Sequence, residues 1–123
     1  MPSASLVSRY TVLTSAARTA SGQQELQAVN DYGNVAILVN VTAVAGTTPT
    51  MRLSIEDTPG GTTWFPVTTA AADITAAGQY RIFITHSVHG PTNPRVRLRW
   101  VIGGTSPSFT FTATAVSRPS FLG

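Results

Sequence analysis

Two stretches of the chain, Val41 to Leu53 and Arg99 to Phe111, repeat one pattern at a constant offset of 58 residues. Gly46 falls on Gly104, Thr47 on Thr105, Pro49 on Pro107, Met51 on Phe109 and Leu53 on Phe111. In each stretch a strand-like run ends at a glycine, which tolerates positive φ. A proline then fixes its own φ at about −65°, and an alternating apolar run follows. Gly-Thr-Thr-Pro and Gly-Thr-Ser-Pro are common turn compositions, but the alternation flanking both makes them equivalent parts. The repeat predicts two matching hairpins related by an approximate internal two-fold.

The rest of the chain reads the same way. Successive side chains of a strand point to opposite faces of its sheet, and several segments show that period. Met51, Leu53 and Ile55 oppose Arg52, Ser54 and Glu56; Tyr80, Ile82 and Ile84 oppose Arg81, Phe83 and Thr85. Val96, Leu98 and Trp100 oppose Arg95, Arg97 and Arg99, and Phe109, Phe111, Ala113 and Ala115 oppose Thr110, Thr112 and Thr114. Val35 to Val44 is nearly continuous apolar and predicts a central strand covered on both faces. Tyr10 to Ala17 is a weaker strand. No long segment keeps a helical apolar face, and Thr68 to Ala77 reads as a loop. Six to eight antiparallel strands with closely spaced turns predict an all-β, two-sheet sandwich of jelly-roll type, a closed barrel being the main alternative. The expected organisation is an N-terminal arm over 1–9, the β-sandwich over 10–116 and a C-terminal tail over 117–123.

At 123 residues and 42% hydrophobic content, the chain has enough apolar material for one core and no room for a second domain. No apolar run reaches the roughly 18 residues of a membrane span, and Met1 to Ser5 lacks the order of a signal peptide. The chain therefore reads as soluble and unprocessed, with no membrane partner. Cysteine is absent, which removes disulfides and thiol chemistry. Charged residues make up 11%, against roughly 25% in ordinary soluble domains. All eight basic residues are arginine. The 19 threonines, 11 serines and 15 alanines must cover much of the surface, a composition compatible with a GC-rich coding sequence and with burial in an assembly, since interface cores are depleted of lysine and acids. The isoelectric point is about 10.2, but the formal charge is only +3 with acids interspersed. Nucleic acid is not an expected partner.

Catalysis needs convergent titratable groups, and none are evident. Glu56 and Asp57 are adjacent and, ahead of Thr58-Pro59-Gly60-Gly61, are expected to begin a turn. His86 and His89 read as two loop histidines closing the strand before them rather than as metal ligands. No phosphate-binding loop or nucleophile elbow is present. The sequence predicts no enzyme, no catalytic residue, no cofactor and no metal. Arg95, Arg97 and Arg99 form a row on one face, read as a solvated face partnered across the sheet by Glu56 or its neighbours, as a docking surface for an acidic protein, or as a phosphate contact. Trp64 and Phe65 are expected to fold back and cap the core, with an interface anchor or a sugar-stacking platform as the alternatives. Ser3, Ser5 and Arg9 on the N-terminal arm complete the candidate partner-binding set.

The runs Ala17 to Gly22, Val39 to Leu53 and Arg97 to Phe111 resemble small structural proteins encoded by tailed bacteriophages, the similarity covering about Ala16 to Ala115. The resemblance implies a β-sandwich virion component, best matched by a capsid decoration protein on the outer surface of the major capsid protein lattice. It further implies contacts with the major capsid protein and with neighbouring copies, a homo-oligomer on the particle among them, and synthesis in the bacterial host cytoplasm. A neck or tail component, or a carbohydrate-binding module of a host-recognition apparatus, are the alternatives.

Overall fold

The computed structural model describes residues 8–26, 34–89 and 95–118. The described residues form six strands, β1 (Ser8–Arg18), β2 (Gly22–Glu25), β3 (Asn34–Thr58), β4 (Phe65–Thr69), β5 (Gly78–Thr85) and β6 (Arg95–Arg118), and one helical turn, α1 (His86–His89). All pairings are antiparallel.

The architecture is set by β3 and β6, which run side by side from Asn34↔Arg118 to Thr58↔Arg95. Both bend where the repeated motifs lie, so each contributes one half to each layer of a sandwich. The first sheet has the order β1, second half of β6, first half of β3, β5; the second has β2, first half of β6, second half of β3, β4. The layers meet through alternating apolar residues. Val35, Ile37, Val39 and Val41 with Phe109 and Phe111 line the first sheet, and Met51, Leu53 and Ile55 with Val96, Leu98 and Trp100 line the second, all buried in one cluster. Trp100 meets Phe111 edge-on across the layers, with ring centroids 5.8 Å apart.

The repeated motifs do not turn hairpins. The arms on either side of Gly46 do not pair with each other; Val44 pairs with Phe109 and Thr50 with Gly103. Each motif is instead a bend packed against the other. Gly46 and Gly104 have φ of 109° and 111°, and Thr48 and Ser106 have φ of 48° and 49°. A Cβ on Gly46 would lie 2.6 Å from the Ser106 carbonyl oxygen, and one on Gly104 2.7 Å from that of Thr48. Only glycine allows this reciprocal approach of backbones.

The duplication extends over the described chain. β1, β2 and β3 recur in the same order as β4, β5 and β6, and β1 and β2 pair only with β6 while β4 and β5 pair only with β3. Every ladder thus joins one half of the chain to the other. The expected two-fold is present as an intertwining of two three-strand units.

Other expectations shift locally. Val35 to Val44 is central in its sheet but buried on one face only, with Ala36 and Leu38 half-buried and Asn40 exposed on the other. Glu56 and Asp57 lie inside β3 and are buried; the turn begins at Pro59. Thr58 Oγ1 closes it, donating to the Thr63 carbonyl at 2.6 Å and accepting from the Gly61 N–H. Arg9 lies in β1 opposite Val116, within the sheet rather than on an arm, and β6 continues past 116 to Arg118. The short polar strand β2 has no counterpart in the alternation pattern.

Candidate partner-binding surface

Alternation on β6 places Arg95, Arg97 and Arg99 on the outer face of the second sheet, opposite Thr58, Glu56 and Ser54 of β3. Their charges are largely spent within the molecule. Glu56 is buried, and its Oε1 accepts from Arg97 at 2.7 Å while its Oε2 lies 3.6 Å from Arg99. Arg95 grips Glu25 of β2 with two bonds, Nε to Oε2 at 2.9 Å and Nη2 to Oε1 at 2.6 Å. That pairing holds the Glu25 carboxyl below the ordinary carboxylate range and raises the Arg95 guanidinium. Arg52 bonds Asp73 at 2.7 Å on the same face. The arginine row is thus partnered across the sheet by Glu56.

Trp64 does not cap the core. It is half-buried over the arginine row, with the Arg97 guanidinium 4.3 Å and that of Arg95 5.7 Å from its ring centroid. Phe65 begins β4 and is 51% exposed. Both were expected inside because they are large and aromatic; the cations supply Trp64 with an alternative partner on the outside. The same stacking covers one ring face that a sugar would need. His89 Nδ1 accepts the Thr85 N–H at 3.0 Å, so this histidine fastens α1 to the end of β5.

The structure therefore brings Arg95, Arg97, Arg99 and Trp64 together, whereas Phe65 pairs with Asp57, on the opposite face of the strands from the arginine row. Arg9 is on the outer face of the other sheet. Ser3 and Ser5 lie outside the described residues. Sequence reasoning did not single out the outer face of the first sheet, formed by Ala36 and Leu38 of β3, Thr112, Thr114 and Val116 of β6, and Arg81 and Phe83 of β5. The alternation of Arg81 and Phe83 with Ile82 and Ile84 was its visible trace. A shallow groove runs over this face between Leu38, Asn40, Arg81 and Thr114.

No family model and no curated protein sequence matches the chain. Solved structures do share its fold. A chain of the Bacillus endospore appendages, described as disulfide-linked pili, superposes with a TM-score of 0.53 at 12% identity, covering 92% of this chain and 88% of that one. A chain of infectious bursal disease virus, Gx strain, gives 0.51 at 20% identity over 91% of this chain, which corresponds to 32% of the viral chain. The chain is thus an all-β sandwich of a kind found in a viral protein and in a pilus protein.

Proposed function

We propose that this protein is a structural component of a bacteriophage particle, a decoration protein that binds the outer surface of the capsid lattice and reinforces it. The observation that carries the reading is the complete cross-pairing of the two halves. Among the described residues no strand belongs to a unit that could open separately, so the body presents rigid faces, as a lattice-bound subunit must to bind repeatedly in one geometry. A partner that binds only the assembled lattice stabilises it by mass action. The shared fold with a viral chain and with a pilus chain supports a structural role, and the motif resemblance to tailed-phage proteins supports the particle. The present sequence has no cysteine, so it contributes no disulfide to an assembly.

Mass spectrometry of purified virions tests this directly. Copies in proportion to capsid subunits are expected. Absence from the particle would overturn the reading, and one or two copies per virion would move the protein to the neck or tail.

A further inference from the structure

The internal two-fold gives each outer face a counterpart of equivalent strand order, and the two have diverged in chemistry. On the second sheet Arg97 lies between Glu56 and Glu25; on the first, Leu38 occupies the corresponding place between Thr114 and Arg81. Likewise Arg95 beside Thr58 corresponds to Ala36 beside Val116. The second face closes its charges on itself. The first contains no carboxylate among its described residues, yet carries Arg9 on β1 and Arg81 on β5, one on each edge strand. Both are exposed, and neither has an ion-pair partner among the described residues. Between them lie Ala36, Leu38 and Val116, half-buried, with Phe83 52% exposed.

We propose that this face docks a protein subunit of a different sequence, one that presents an apolar centre flanked by carboxylates. The proposal rests on the particle reading above and names the surface used. β1 and β5 are three strand spacings apart, so the backbones that carry Arg9 and Arg81 stand about 14 Å apart across the sheet and two residues apart along it, on either side of an apolar and threonine-covered strip. That is the arrangement of an interface with an apolar core and a charged rim. A phosphate backbone would instead call for a continuous track of cations. The described residues of a second copy offer no free carboxylate for this face. Glu25, Glu56 and Asp73 are already bound to arginines, and Asp57 is buried and partnered, so none of these acids is free to meet Arg9 and Arg81.

The test compares two charge-matched double variants of the full chain. Arg9→Ala with Arg81→Ala alters the first face, and Arg52→Ala with Val101→Glu alters the second; each lowers the charge by two. Thermal unfolding confirms that both remain folded. Binding is measured to purified particles lacking the protein, to an immobilised peptide of alternating glutamate and leucine, and to duplex DNA. The expected result is a loss of about tenfold or more, on particles and on the peptide, for the first-face variant alone. Equal retention of both variants on particles and peptide, or equal loss by both, overturns the docking face. So does a loss confined to DNA, which would assign the face to phosphate. If the wild type fails to bind particles while the peptide still separates the variants, the virion reading falls and the docking face stands.

Discussion

Thr47 and Thr105 pair with each other across β3 and β6, and each is also the other's equivalent in the 58-residue repeat. The internal two-fold axis therefore passes between them, and residues equally far along the two strands occupy equivalent surroundings as far as Thr42, where β3 holds one extra residue that β6 lacks. Gly46 and Gly104 flank that axis with nearly equal φ. Gly46→Ala and Gly104→Ala are each expected to cost about 2–3 kcal/mol, because a Cβ would meet a carbonyl oxygen of the opposite bend and the left-handed backbone is strained for alanine. Urea denaturation of the two variants measures this. A neutral result at either site would show that the bends do not hold each other.

Cross-pairing of the halves makes a second, topological expectation. Gly60 is exposed in the turn between the halves, so a protease site placed there can be cut in the folded protein. The cut protein should remain one compact particle in gel filtration, since every ladder joins the two pieces. Each purified piece alone should lack cooperative unfolding, and refolding of the mixture should depend on concentration. Separation of the nicked pieces without denaturant would contradict the intertwined fold.

The alternation of Val96, Leu98 and Trp100 with Arg95, Arg97 and Arg99 was enough to assign strand and face, because period two is a local property of the backbone. The partner of each strand was not legible. A bend of glycine, threonine and proline looks the same whether its arms close on themselves or on a second copy of the motif, the ambiguity that also underlies domain swapping. The role of Trp64 was hidden for a related reason: its contacts with Arg95 and Arg97 join residues some 30 positions apart. β2 escaped because Gln23 and Gln24 are polar and its pairing with β6, not its composition, makes it a strand. The arginine row was legible as a row, but whether its charges were free depended on where Glu25 and Glu56 fell.

Glu56 is the buried centre of that row. Its replacement by glutamine keeps the shape but removes the one carboxylate that Arg97 and Arg99 share. Glu56→Gln should cost about 1–3 kcal/mol, and Arg97→Ala in that background should add less than it does in the wild type, since the pair is coupled. A double-mutant cycle from urea midpoints checks the coupling; strict additivity would mean that the bond contributes nothing beyond packing.

The pairing of Glu25 with Arg95 makes a small, signed contribution to pH dependence. Because the folded-state carboxyl titrates below its ordinary range, mainly through the Arg95 hydrogen bond, the folded form holds fewer protons than the unfolded form in the acid range. Stability from this pair is thus fully present above the unfolded carboxylate pKa and is lost as pH falls through the lowered folded value. Both groups are well exposed, so solvent screening keeps the effect small. Carbon-detected titration of the Glu25 carboxyl by NMR should show the depressed midpoint in the wild type, and Arg95→Ala should return it upward while flattening the acid limb of the stability curve. An unchanged midpoint in that variant would mean that Arg95 does not hold the carboxylate in solution.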